Sequence, residues 1–297
     1  MKAVWPWIVL LLLGAGWGVT FPLTKVAVST GYGHYGLVFW QLALGAVFLG
    51  GICALRGQPI HLGRREIAMG IVIAIIGTIF PNTASYQAAV ELPAGVMAIL
   101  VATVSIFAYP VAMMLGVDRF DLRRLFGLTL GLGAVVVLSW PQLMEGDTVL
   151  GGGSLGFILL GLVAPLFYAF EGNIVGKYGT FRMDAIQTLF VASCIGTLLM
   201  IPVVVISGHY IVPQWPVPKE QWAMFGVAIV HATVYSGYVW FVGRVGAVFA
   251  AQVAYAVTLF GVFASAWFLA EAYPSTMWAA LGLMIAGMAL VQPRKAR

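Results

Sequence analysis

Residues 86–100 read YQAAVELPAGVMAIL, and residues 238–252 read YVWFVGRVGAVFAAQ. Set one above the other, Tyr86 falls on Tyr238, Leu92–Ala94 on Arg244–Gly246, and Ala98 on Ala250. With a one-residue gap the correspondence continues: Asp118 and Phe120 meet Glu271 and Tyr273, each pair opening a glycine-containing last helix. Each match is weak alone. Together they point to an internal duplication, and a duplicated unit decides the architecture before any local detail does.

The rest of the chain says what that unit is made of. Its 297 residues are 62% hydrophobic and only 8% charged, with a mean hydropathy of +1.00. A soluble domain carries roughly 25% charged residues, and 15 basic with 10 acidic side chains cannot cover a water-facing surface of this size. A soluble globular enzyme, a disordered chain and a nucleic-acid-binding module are excluded, despite the net charge of +5. The solvent is a lipid bilayer. Cys53 and Cys194 lie in apolar runs and read as small buried hydrophobes, with no disulfide framework.

A span needs about 20 mostly apolar residues to cross ~30 Å of hydrocarbon. Ten such segments occur, at about residues 4–27, 35–55, 67–90, 94–116, 122–140, 154–176, 184–206, 221–243, 246–269 and 275–292. The first has no A-x-A-like cleavage site and reads as a retained helix. With the N-terminus in the cytoplasm, Lys2, Arg56, Arg64, Arg65, Arg119, Arg123, Arg124, Lys177, Arg182, Arg244, Arg294, Lys295 and Arg297 fall inside. Only Lys25 and Lys219 of the 15 basic residues then lie toward the outside. That is the positive-inside bias, and one span more or fewer would destroy it downstream. The expectation is a multi-pass protein of the cell (inner or plasma) membrane with both termini cytoplasmic.

Residues 141–153, PQLMEGDTVLGGG, are the most loop-like stretch near the middle and read as an extracytoplasmic linker. They separate a five-span unit in residues 1–140 from another in residues 154–297. An odd number of spans per unit forces the second to enter the membrane with the opposite orientation. The expected fold is therefore all-α, ten transmembrane helices arranged as two inverted five-helix repeats. Inverted repeats supply alternating access, with a substrate site near the midplane where the halves meet.

Four stretches carry a likeness to a known family: WGVTFPLTK (17–25), SYQAAVELPAGVMAILVATVSIFAYPVAMMLGVDRF (85–120), GYVWFVGRVGAVFAAQ (237–252) and WFLAEAYPSTMWAALGLMIAGMAL (267–290). In them the chain resembles EamA-type members of the drug/metabolite transporter superfamily, over essentially its whole length. The resemblance implies two inverted five-helix repeats and the export of amino acids, drugs or metabolites. One departure is visible. The family's second helix often carries an Arg where FWQLALG has Gln41, so a role resting on that charge does not carry over.

Polar groups inside hydrocarbon cost several kcal/mol unless satisfied, so each is a candidate for function. Glu171 shares a helix face with Tyr168. It either reaches toward the cytoplasmic interface or pairs with Lys177, or it serves substrate binding or coupling. Lys25 is either an interfacial anchor or a ligand for a substrate carboxylate. His231 shares a face with Tyr235 and Tyr238, as a structural hydrogen-bonding group or a proton carrier. Trp17 with Thr20, Asn82 with Tyr86, and Gln252 with Tyr255 form further stripes, either walls of a cavity or helix–helix hydrogen bonds. Trp17 and Tyr86 also belong to the stretches that resemble the family. Pro81, Pro110 and Pro165 interrupt helices 3, 4 and 6, as hinges or as simple kinks. Gly127 and Gly131, with Gly282 and Gly287, provide close packing on the last helix of each half, which could also serve a homodimer rather than a monomer.

No Walker A sequence occurs, GNIVGK (172–177) being one residue short. His34, His61, His209 and His231 are scattered, so neither a metal nor a cofactor is expected. No nucleophile–base pair for a membrane enzyme appears within the spans, and no ring of charge for a channel. The expected function is a secondary transporter that exports small metabolites, amino acids foremost and aromatic ones included, by alternating access. Its expected partners are that small-molecule substrate and the bilayer. The alternative is a drug or toxic-cation exporter, for which Glu171 would be the carboxylate.

Overall fold

The computed structural model describes residues 4–145 and 155–290. Residues 146–153 of the expected linker, and Lys2, Arg294, Lys295 and Arg297 of the expected cytoplasmic set, lie outside the described residues. The described residues form ten helical stretches: α1 (Trp5–Val28), α2 (His34–Arg56), α3 (Arg64–Glu91), α4 (Ala94–Met114), α5 (Leu122–Glu145), α6 (Leu155–Tyr178), α7 (Ala185–Ser207), α8 (Lys219–Val245), α9 (Ala247–Leu269) and α10 (Ser275–Leu290). Eight of them are long and apolar enough to cross a membrane; α5 and α10 carry the shorter apolar runs Leu125–Ala134 and Ser275–Gly287.

Local chemistry sets the ends of these stretches. α7 opens on a capping box, in which Asp184 accepts from the Gln187 amide at 2.9 Å and the Gln187 side chain accepts from the Asp184 amide at 3.1 Å. α2 and α7 stop at Gly57 and Gly208, whose φ of +61° and +68° lies in the left-handed region that favours glycine. α5 runs on to Glu145, so the first five residues of the expected linker are helical. One proline removes a single backbone bond, and the Gln-Leu-Met-Glu that follows it is built of good helix formers.

The prolines do not break the helices in the expected way. Pro81 leaves α3 continuous, but the turn before it, Ile73–Ile79, widens into a π-helix. A proline has no N–H to offer and its ring crowds the preceding turn, and the wider π turn relieves both. Pro110 sits inside a helical run, Thr103–Met114, and the irregularity in α4 lies earlier, at Ala102. Pro165 occupies the first turn after a break at Leu162, where no amide partner is lost.

Packing between the halves is two-fold in character. α1 packs on α9 and α8, while α6 packs on α4 and α3. α2 packs on α8 and α3 on α7; α2 meets α7, and α5 meets α10. Each contact is answered by the one obtained when the two sets of five are exchanged. α4 and α9 are the most enclosed, with 72% of the apolar window buried in each. The outer surface carries Val47, Leu55, Leu198, Ile206 and Trp267 exposed, an inventory that suits lipid and not water.

Small residues permit the closest approaches. A Cβ at Gly18 of α1 would stand 2.7 Å from the Cβ of Phe260 on α9, and one at Gly287 of α10 would stand 2.6 Å from the Gly127 carbonyl on α5. Gly127, Gly131 and Gly287 thus meet within one chain, whereas Gly282 has nothing near it. Forcing extra atoms into such a contact costs about 1–3 kcal/mol. Gly287→Val should therefore lower the thermal unfolding temperature in detergent by several degrees, and Gly282→Val should leave it within about a degree. Equal effects of the two substitutions would refute this account of the α5–α10 contact.

Candidate functional site

A cavity of about 140 Å³ lies among α1, α2, α3, α4, α6, α8 and α9. The apolar part of its wall comes from the enclosed helices: Met97, Val101 and Val104 of α4, and Ala254 and Val257 of α9. The polar part comes from the helices around them. Trp17, Thr20 and Lys25 stand on α1, Asn82 and Tyr86 on α3, Tyr168 and Glu171 on α6, and His231, Tyr235 and Tyr238 on α8. Nine of the eleven residues expected to face a cavity line this one, together with Lys25.

Gln252 and Tyr255 do not. The helix of α9 pauses at Ala251–Gln252 and restarts at Val253. Ala251, Ala254 and Val257 take the cavity face instead. Tyr255 turns toward α5, its hydroxyl 3.3 Å from where a Cβ on Gly131 would be. Ala254 and Tyr255 are successive residues of the helical run Val253–Leu269 and point about 100° apart, so a wall built on Ala254 and Val257 leaves Tyr255 off it.

Hydrogen bonds fix most of the polar wall. The Tyr86 hydroxyl donates to Gln41 Oε1 at 2.8 Å, and the Tyr168 hydroxyl donates to Asn82 Oδ1 at 2.6 Å. Thr20 donates to the Trp17 carbonyl of its own helix at 2.6 Å. The Trp17 indole N–H donates to His231 Nδ1 at 3.4 Å. In a neutral imidazole the proton then sits on Nε2, and that N–H has no partner. Trp17 also lies over the α8 stripe, with ring centroids 6.0 Å from Tyr235 and 5.4 Å from Tyr238.

Glu171 is the one carboxylate on this wall, and it is 1% exposed. It neither reaches the interface nor pairs with Lys177, whose ammonium donates to the Leu115 carbonyl at 2.8 Å. Its carboxyl lies within electrostatic range of the Tyr168, Tyr235 and Tyr238 hydroxyls. Glu171 Oε1 and Asn82 Nδ2 are buried without a hydrogen-bond partner, and the Tyr235 hydroxyl faces the Glu171 carboxyl. Native proteins leave few such groups, and here an acceptor and a donor line one cavity.

The polar wall residues Thr24, Gln41 and Ser85 and the π turn of α3 were missed in the sequence. Gln41 was set aside because it lacks the charge of the family pattern, although a polar residue at mid-helix depth was itself the signal. The π turn of α3 gave no signal at all. It brings Gly77 against the site, where a Cβ would collide with the Tyr235 hydroxyl and stand 3.1 Å from Glu171 Cγ. Lys25 lines the cavity, but its ammonium is bonded to the carbonyls of Ala89, Val90 and Leu92. Among the described residues no group of three or more His, Cys, Asp or Glu could hold a metal ion.

Comparison with known proteins places this arrangement in context. The model of the EamA-like transporter family matches the chain twice, over residues 5–140 and 155–292. Among solved structures 28 chains match. One, described only as the crystal structure of a protein, superposes with a TM-score of 0.63 at 15% identity, covering 95% of this chain and 95% of that one. That likeness is one of fold. No curated protein matches.

The geometry distinguishes neighbouring positions on α9. In a background with Cys53 and Cys194 replaced by Ser, Ala254→Cys should react with a small thiol reagent about tenfold faster than Tyr255→Cys, because only the former faces the cavity. Equal rates would remove the cavity wall from α9.

Proposed function

The chain belongs to the EamA-like transporter family and is a multi-pass membrane transporter of small solutes; we propose that it is a secondary transporter that exports small metabolites, amino acids foremost, by alternating access. On this reading ten spans form two inverted repeats in the cell membrane, with both termini cytoplasmic. The exchange of helix contacts between the halves and the sorting of the basic residues support it.

One observation carries the choice of cargo. A buried acceptor, Glu171 Oε1, and a buried donor, Asn82 Nδ2, stand without partners on the wall of the same cavity. An amino acid presents the complement, an ammonium for the carboxylate and a carboxylate for the amide. The volume also suits a small solute, since a cavity of roughly 150 Å³ accepts benzene. Glu171 is then the residue through which a proton gradient is coupled to export, its proton and the cargo ammonium competing for one carboxylate. His231 supplies a second donor through Nε2. Pro81 and Pro165, each beside a departure from regular α-helix, and Pro110, inside a regular run, act as hinges for the rocking motion.

A second reading, export of organic cations, is favoured by the rings of Trp17, Tyr235 and Tyr238 beside Glu171. Aromatic faces and a carboxylate together attract a cation that has no carboxylate of its own. Asn82 separates the two readings, because only an amino acid needs its amide.

In proteoliposomes, amino acids should be transported in response to a pH gradient. Glu171→Gln should reduce gradient-driven transport at least about tenfold, and Asn82→Leu should do the same for amino acids only. Transport unchanged in Glu171→Gln would remove that residue from coupling; quaternary amines transported in place of amino acids would select the second reading. For topology, a cysteine at position 147 should be labelled from outside intact cells, and one at position 64 only after permeabilisation. The reverse pattern would invert the proposed orientation.

A further inference from the structure

Polar groups from three parts of the chain meet at one end of the cavity. α3 ends at Glu91, and the chain turns through Leu92 and Pro93 into α4. On one side of this corner, Lys25 Nζ of α1 donates to the carbonyls of Ala89 at 2.9 Å, Val90 at 3.1 Å and Leu92 at 3.0 Å. An ammonium has three N–H donors, so none is left for a solute. On the other side, Glu271, from the connection between α9 and α10, accepts from the amides of Ala94 at 3.0 Å and Gly95 at 3.2 Å. The Tyr273 hydroxyl donates to the same carboxylate. Gly95 leaves room for it, since a side chain there would collide with Tyr273.

Each charge sits at the helix end that its sign suits. The cation lies on the C-terminal carbonyls of α3 and the anion on the N-terminal amides of α4. The corner is gripped from both halves of the chain, by α1 of the first and by the α9–α10 connection of the second. Lys25, Ala89 and Ala94 also line the cavity, so the corner is part of its wall. Lys177 stands at the same offset from Lys25 as Tyr238 from Tyr86. It nonetheless bonds, among the described residues, to the Leu115 carbonyl of the chain following α4, so the two ends of the molecule are held differently.

We propose that Lys25 and Glu271 form the closed gate of one mouth of the cavity. They hold the α3–α4 corner against α1 and the α9–α10 connection until both sets of bonds release. In this role Lys25 is a gating residue and does not contact the cargo. The gate rests on the transporter reading, but its test needs no cargo, so failure of one is distinguishable from failure of the other.

The test is thiol accessibility in proteoliposomes, with Cys53 and Cys194 replaced by Ser. Ser85→Cys, on the cavity wall, is the reporter, and Ser29→Cys, exposed at the end of α1, identifies the Lys25 side. With a membrane-impermeant reagent on that side, Glu271→Gln and Lys25→Met should each speed labelling of the reporter by about tenfold or more. Labelling from the opposite side should not rise. Tyr273→Phe removes one hydroxyl and should give a smaller rise on the Lys25 side alone. It decides the matter if the charge variants fail to fold. Unchanged labelling from the Lys25 side, or an equal rise from both sides, would overturn the gate.

Discussion

Hydrocarbon offers a backbone no hydrogen-bond partner, and the rest of this structure follows from that constraint. Every exposed N–H and C=O must be satisfied within its own segment, which leaves helices for this chain. Those helices cannot be driven together by hiding apolar surface from water, because lipid is as apolar as they are. They associate instead through close approaches at small residues, as where Gly18 of α1 meets α9 and Gly287 of α10 meets α5, and through polar groups that only another helix can satisfy.

The polar residues accordingly collect in two places. Some lie at helix ends, where free carbonyls and amides need partners: Lys25 and Glu271 serve the α3–α4 corner, and Asp184 with Gln187 opens α7. The others line the cavity, where Gln41 with Tyr86 and Asn82 with Tyr168 satisfy each other. Of the buried polar atoms without a partner, those of Glu171, Asn82 and His231 are distinguished by lining the cavity.

Departures from regular helix occur where the cavity needs them. The π turn at Ile73–Ile79 presents the bare backbone of Gly77 to Glu171. The break at Ala251–Gln252 lies beside the small residues Ala251 and Ala254 that α9 turns toward the cavity, while aromatic and acidic groups arrive from α1, α3, α6 and α8. Neither feature follows from hydrophobic periodicity, which assumes one unbroken register along each apolar run.

Sequence alone determined the membrane class, the boundaries of most helices, the duplication and the family, because hydropathy and the resemblance to EamA-type transporters are written along the chain. It also picked out most of the polar part of the cavity wall, since a polar side chain inside an apolar run has few other uses. Only the tertiary structure decided the rest. It took Gln252 and Tyr255 off the wall and placed Gln41 on it. It left Glu171 alone with tyrosines, and it bound the Lys25 ammonium to a helix end. The reason is physical: which of two polar groups finds a partner depends on helix rotation and on contacts between distant segments, and one-dimensional pattern carries neither.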